Sequence, residues 1–465
     1  MTQGPGIDRR TLLSGAAAAA TAATAGAGTA SATAGASSSA GAGAAASSTA
    51  PASASAPARH RDRRVRLGLN YTPSRSWWYS WSDWDTASID ADLADIEALG
   101  MDHIRIMGIW PELQPNATHV NGEMVDRIRQ MLQLAGAHGL QVEVTVLDGG
   151  VSGFLFVPPW LIDNGNGQVT NFFTDPDAIA AQQRLFAALG AGFGDHPSLL
   201  GLDLSNEIYW FAQPFGIDVA PAVGDGWLRT MFDAAGKAAP GRLNVAGIDH
   251  YPWLNDDYFS RDALGTTGAL SANHTWAGWA DVFSTYGPMS TPSLHYSEYF
   301  IELIKAFHTD LDRQVWIEET GVSKVWMDPS LIPSWTEQSI RNMASCENFW
   351  GVTWWCSHEV NPAFTGFNPL EYDLGVYTND RRLKPIGATI ASLAREYDRT
   401  PPEPLHRDTA LVLPDGLIPW TPFFEPYMKL IDQGVRPAVV KASRSGDRAY
   451  LQARGIDRLI QLDEV

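Results

Sequence analysis

The chain has 465 residues, with 33 Lys and Arg against 52 Asp and Glu, a formal net charge of −19. With 45% hydrophobic and 18% charged residues this is the composition of a soluble globular protein, and the acidic balance argues against a nucleic-acid partner, which needs concentrated positive charge. No apolar run beyond the N-terminus reaches the ~18 residues of a membrane span, and two Cys residues exclude a disulfide scaffold or a Cys-rich metal centre.

The N-terminus carries Asp8-Arg9-Arg10 followed by Leu12, Leu13 and an Ala/Gly/Thr run from Ala16. A paired Arg before a weakly apolar stretch resembles a twin-arginine export signal. Residues 1–60, rich in Ala, Ser, Thr, Gly and Pro, bury too little apolar surface to offset their ordering entropy and are set aside from the fold. The expectation is a protein exported already folded and acting outside the cell.

From Val65 onward, strand-like and helix-like patterns alternate. Val65–Tyr71 is a short apolar run, and Ser88–Leu99 places Ile89, Leu93, Ile96 and Leu99 on one helical face. His103–Trp110 reads as strand, Met124–His138 as helix, Gln141–Asp148 as strand, and Asp175–Phe193 as a helix opened by Asp-Pro. Leu199–Glu207, Leu243–Asp249, Ala269–His274, Gln314–Glu319 and Gly351–Trp355 are further strands. Trp227–Ala238, Tyr296–Leu311, Ser334–Glu347 and Ile386–Tyr397 are the helices among them. Eight strands, each followed by a helical connection, predict a (β/α)8 TIM barrel over 61–398. The alternative, an open doubly wound sheet, would need a Gly-rich phosphate loop after the first strand, and none is present. Residues 399–465 read as a small C-terminal β/α extension. Cys346 and Cys356 flank a strand, so their separation predicts two free thiols.

Polar and aromatic residues recur at the strand ends: Tyr71, Arg105, Asp148, Asn206-Glu207, His274, Glu319 and Trp355. A barrel gathers such ends into one ring. Two of those ends bear carboxylates, Glu207 and the pair Glu318-Glu319. Glycosidic cleavage needs one group to protonate the leaving oxygen and another to meet the developing oxocarbenium ion, and two carboxyl groups in different environments supply both. The 18 Trp residues suit sugar rings, whose apolar C–H faces stack on indoles. Strand alternation predicts that of Glu318 and Glu319 one faces the cavity and the other the helix layer.

Asn-Glu ending strand four and Glu-x-Gly ending strand seven resemble the retaining clan of (β/α)8 glycoside hydrolases, family 5 in particular. The resemblance implies Glu207 as acid/base and Glu319 as nucleophile. It also implies Arg105 as the residue that orients the nucleophile, with His274 of strand six and Trp355 of strand eight at the sugar site. Asn206 is placed to hold a sugar hydroxyl, and His358 to add a polar contact to a terminal sugar. Two positions depart from the family pattern. Trp276 replaces the strand-six Tyr, so no hydroxyl comes from there, and Asp148-Gly149 replaces the strand-three His.

Whole segments, NYTPSRSWWYSWSDWD, HIRIMGIWPELQPN, GVTWWCSHEV and EYDLGVYTNDRRLKPIG, resemble the bacterial subfamily 18 of family 5. That group implies exo-acting β-mannosidases on short β-1,4-mannosides or mannosyl-N-acetylglucosamine, with no metal and no cofactor. Trp77, Trp78, Tyr79, Trp81 and Trp84 would wall one end of the cleft. An endo-β-1,4-mannanase or endoglucanase with an open groove is the alternative. A non-catalytic carbohydrate-binding barrel is a third reading, against which both carboxylates stand.

Overall fold

A computed structural model describes residues 64–465; the export signal expected within 1–60 lies outside them. Eight parallel strands form the barrel: β1 (Arg66–Asn70), β2 (His103–Ile109), β3 (Gln141–Asp148), β4 (Leu199–Asn206), β5 (Val245–Gly247), β6 (Ser271–His274), β7 (Val315–Thr320) and β8 (Phe349–Trp354). Their order around the sheet is β5-β4-β3-β2-β1-β8-β7-β6. The ring closes between β5 and β6, where Ile248 bridges Asn273 and the His274 N–H donates to the Ile248 carbonyl at 2.8 Å. That closure excludes the open doubly wound sheet. Every barrel strand is buried along its length, as parallel strands between a filled interior and a helix layer must be.

The layer consists of α1 (Thr86–Ala98), α2 (Gly122–Ala137), α3 (Pro176–Phe193), α4 (Pro221–Ala238), α5 (Arg261–Thr266), α6 (Tyr296–Lys305), α7 (Ile332–Ala344) and α8 (Pro385–Arg399). Local chemistry starts them. Asp85, Asn121 and Asp175 accept hydrogen bonds from first-turn amides, and Pro176, Pro221 and Pro385 occupy the first helical position, where no N–H is missed. Two elements are shorter than the pattern predicts by four residues or more. The α6 helix stops at Lys305 rather than Leu311, because Ala306 and Phe307 tighten onto carbonyls three residues back and His308 reaches the Ser271 hydroxyl at 3.1 Å. The β5 strand contracts because Asn244 turns its amide onto the carbonyls of Ala235 in α4 and of Ala239 just past its end.

After Arg399 a second, three-stranded parallel sheet forms from β9 (Thr409–Leu413), β10 (Ala438–Lys441) and β11 (Arg458–Ile460), in the order β10-β9-β11, with α9 (Thr421–Asp432) and α10 (Arg448–Ala453). It packs on α6, where Tyr299 meets the rings of Phe424 and Tyr427 at centroid distances of 5.1 Å. Cys346 and Cys356 are buried and unpaired. Among the described residues no helix is long and apolar enough to cross a membrane.

Candidate active site

At the C-terminal mouth of the barrel, β2, β4, β6 and β7 deliver Arg105, Asn206, Glu207, His274, Glu318 and Glu319 to one place. Glu207 stands where β4 ends and the short helix Ile208–Ala212 begins, in a left-handed conformation (φ 44°, ψ 51°). A non-glycine residue holds that geometry only when its surroundings enforce it, and such strain gathers at functional sites. Here the enforcement is visible: the Glu207 N–H donates to the Gly247 carbonyl at 2.9 Å, and Glu207 Oε1 meets His274 Nδ1 at 2.9 Å. Burial pushes the Glu207 carboxyl above its ordinary range, and the charges of Asp249 and Glu319 add to this against the pull of His274.

Glu319 comes from the opposite side. Arg105 Nη1 donates to its Oε1 at 2.5 Å, and carboxylate oxygens of Glu207 and Glu319 lie within 4.8 Å of one another. Arg105 is fully buried and also bonds Asp203 (2.8 Å), Asn70 (3.1 Å) and the Asn206 carbonyl oxygen (3.0 Å). Asn206 spends its amide on the Gly150 carbonyl at 2.8 Å. Both ends of the Asn206 side chain therefore serve the protein and fix the turn into Glu207.

The alternation expected for Glu318 and Glu319 is overturned. Both face inward: Glu318 lies 3.3 Å from Arg105 Nε and 3.2 Å from His274 Nε2, while Glu319 contacts the same two residues. The cause is a bulge. Pairing with β8 steps from Val352–Ile317 to Trp354–Thr320, and pairing with β6 steps from Asn273–Ile317 to His274–Glu319. The extra residue re-aims the second carboxylate. His274 thus sits among three carboxylates; burial works against its charge, but Glu319, Glu207 and Glu318 raise its pKa to about 10. Glu207, His274 and Glu319 have the spacing of a metal-ligand set; His274 here spends both ring nitrogens on carboxylates, Nδ1 on Glu207 and Nε2 on Glu318.

The departure at Trp276 also resolves. Its indole N–H donates to Glu319 Oε2 at 3.2 Å, so an indole supplies the bond that the missing hydroxyl would have made. Trp355 lies just past β8, edge-on to Trp77 at 6.0 Å and to Trp276 at 6.4 Å. Of the aromatic residues expected to wall the cleft, Trp78 packs against Phe154, Phe156 and Phe367, so loops after β1, β3 and β8 meet in one aromatic cluster, whereas Trp81 stacks on Trp84 and its N–H donates to the Met107 carbonyl.

His358 is a correction. It is fully buried, stacks on Tyr377 and turns its Nε2 toward Asp92 (3.7 Å) and Asp95 (3.6 Å) of α1. It faces the helix layer and not the cavity, because two carboxylates of α1 attract it there. Its neighbours are likewise committed: Glu359 pairs with Lys384 at 2.6 Å, and the Ser357 hydroxyl accepts from the Thr72 N–H at 2.9 Å. Sequence reasoning missed two acids, Asp203 and Glu371, and placed a third, Asp148, at a strand end without giving it a role. Asp203 lies beneath Arg105, with burial and Glu318 raising it to about 6. Asp148, raised to about 7 by burial, keeps one oxygen without a partner. Glu371 is also brought near Glu319. The alternation of β4 marks Asp203 as inward-facing, two residues from Ser205; no local signal marks Glu371.

Comparison with protein-family models and with curated proteins finds no match. Solved structures do match. A GH5_18 protein of Streptomyces cattleya, a Glu-to-Ala variant in complex with Manβ1-4GlcNAc, is 35% identical with a TM-score of 0.83, over 86% of this chain and 99% of that one. The chain belongs to glycoside hydrolase family 5, subfamily 18. A second member, from Bifidobacterium longum subsp. infantis, is 32% identical with a TM-score of 0.81, over 86% of this chain and 97% of that one. The exo-β-1,4-mannosidase Op5Man5 of Opitutaceae bacterium strain TAV5, at 19% identity and TM-score 0.69, shares the fold over 85% of this chain and 72% of that one. Family 5 enzymes are retaining glycoside hydrolases, and carboxylate oxygens of Glu207 and Glu319 within 4.8 Å of one another suit the short carboxyl separation, ~5–5.5 Å, of a retaining pair better than the wider one of an inverting pair.

Proposed function

We propose that this family 5 enzyme is an exo-acting β-mannosidase that removes terminal mannose from short β-1,4-mannosides, Manβ1-4GlcNAc among them. The observation that carries the reading is the Glu207–Glu319 carboxyl pair brought together at the barrel mouth, in a chain 35% identical over nearly the whole length of a relative that binds Manβ1-4GlcNAc. A Bifidobacterium longum relative, also a Glu-to-Ala variant, binds the same disaccharide.

In the proposed mechanism Glu319 attacks the anomeric carbon while Glu207 gives its proton to the leaving oxygen. The product is a glycosyl ester on Glu319 and a free hydroxyl on the leaving sugar. Glu207, now ionised, takes a proton from water; the water oxygen displaces Glu319 and releases mannose with its β configuration. The site favours this exchange. The Glu319 charge that raises the Glu207 pKa disappears when the ester forms, so Glu207 turns from acid to base between steps. Arg105 and the Trp276 N–H orient the Glu319 oxygens, and protonated His274 offsets the crowd of carboxylates.

The test is hydrolysis of Manβ1-4GlcNAc, mannobiose and polymeric mannan by the full enzyme. Release of mannose from the disaccharides with little from the polymer is expected. Rapid internal cleavage of mannan without attack on mannobiose would reject the exo reading in favour of an endo-mannanase. The twin-arginine-like segment supports export of the folded enzyme to the cell exterior, which fractionation of a producing cell would test.

A further inference from the structure

Glu371 belongs to the single-turn 3-10 helix Pro369–Tyr372, in the loop between β8 and α8. The mechanism above does not use it. It is 8% exposed, and among the described residues no Lys, Arg or His pairs with it. Instead, the Ser152 hydroxyl donates to its Oε2 at 3.1 Å, and the Trp355 side chain lies beside the same carboxyl. Ser152 in turn accepts from the Trp77 indole N–H at 3.2 Å.

Ser152 and Gly153 form the turn of the hairpin Gly150–Val151/Phe154–Leu155, with φ of 51° and 83°. Such turns favour Asn, Asp or Gly at the first position, so a Ser held there points to its hydroxyl as the reason. Three loops, after β1, β3 and β8, thus converge to hold one carboxyl against Trp355, beside the aromatic cluster of Trp77, Trp78, Phe154 and Phe367. A buried acid without a cation, near the like charge of Glu319, is destabilising unless it serves a ligand. Burial raises its pKa to about 7, with Glu319 adding to the shift and Ser152 and Trp355 opposing it. Near neutrality such a carboxyl both donates and accepts, which suits a sugar hydroxyl.

We propose that Glu371 is the residue that recognises the non-reducing end: its carboxyl, set by Ser152, hydrogen-bonds the 4-hydroxyl of the terminal mannose. This rests on the exo-β-mannosidase reading and deepens it. In a β-1,4-linked chain every internal unit carries its substituent on that oxygen, so a group that binds the free hydroxyl selects chain ends.

The experiment crosses enzyme variants with substrate deletions: native enzyme, Glu371→Ala and Ser152→Ala, each with 4-nitrophenyl β-mannoside and its 4-deoxy analogue. Removing the 4-hydroxyl is expected to lower native kcat/KM on the order of 10–100-fold, as loss of a hydrogen bond to a charged or buried polar group does. Glu371→Ala should lose a similar factor on the intact glycoside and under about 3-fold on the 4-deoxy analogue. Ser152→Ala should shift in the same direction by a smaller factor. If instead the two losses multiply in full, Glu371 has a structural role and the proposal is overturned. Should Glu371→Ala fail to fold, Ser152→Ala and the isosteric Glu371→Gln read the same cycle. If the native enzyme hydrolyses no aryl β-mannoside, the exo-mannosidase reading falls and takes this assignment with it; if it does and the losses multiply, only the assignment falls.

Discussion

At the barrel mouth Arg105 and His274 face Asp203, Glu207, Glu318 and Glu319. At the seam between α6 and the C-terminal sheet, Glu298 and Glu302 face Arg407, Arg436, Arg454, Lys305 and His295. Both clusters are buried and made of the same residue types, but Glu207 and Asp203 of the mouth respond oppositely to the seam acids, while Glu318, set against Arg105 and His274, is lowered as they are. In the mouth, burial and like charges raise Glu207, and Asp203 stands at about 6. In the seam, burial again pushes Glu298 up, but Arg407, His295 and Arg436 outweigh it and hold the group at about 2. The ratio of cations to carboxylates decides between the two outcomes. An acid-rich cluster keeps a proton ready to give, and a cation-rich one keeps its charges and fastens two parts of the chain together.

That contrast breaks first under loss of the paired carboxylates. Glu319→Ala should lower kcat by at least about 10⁴-fold while leaving the melting temperature intact or raised, because the mouth is then relieved of one like charge. Glu207→Ala should lower turnover of Manβ1-4GlcNAc by roughly 10²–10⁴-fold, and turnover of a nitrophenyl mannoside, whose leaving group needs little proton assistance, by less. The seam should answer in the other coin. Arg407→Ala leaves Glu298 and Glu302 under-compensated and should destabilise by about 3 kcal/mol in a denaturant titration, with kcat of the folded enzyme unchanged.

The pH responses should diverge as well. Glu207 must carry its proton to act as acid, so kcat/KM should fall as pH rises through its raised pKa. The sign at the seam is reversed. Glu298 has a folded pKa of about 2, against roughly 4.3 when unfolded. Its contribution to stability is present in full above about 4.3 and is lost as pH falls toward 2, which acid unfolding of native enzyme and Arg407→Ala would resolve. A smaller effect belongs to Trp276→Phe. It keeps the ring but removes the N–H that meets Glu319 Oε2, and should lower kcat on the order of 10-fold with little change in KM.

The barrel was legible because its signals are local and repeated: apolar runs closed by polar strand ends, alternating with segments of helical period. Glu207, Glu319, Arg105 and His274 were legible because each ends a strand, and a closed barrel brings strand ends together. What escaped the sequence depends on register and on distant loops. The bulge that turns both Glu318 and Glu319 inward is set by pairing with β6 and β8, and no pattern within VWIEET reveals it. The Trp276 N–H reaches Glu319 because of where the strand-six loop places the indole. His358 is drawn outward by Asp92 and Asp95, 260 or more positions earlier. Glu371 meets Ser152 across 219 positions.

The central claim is that Glu207 and Glu319 act on opposite sides of one terminal β-mannosidic bond. Proton NMR of the first minutes of Manβ1-4GlcNAc hydrolysis tests it most directly. The account predicts that the mannose released first is the β anomer, which later mutarotates; appearance of the α anomer first, or no release of mannose, would contradict it.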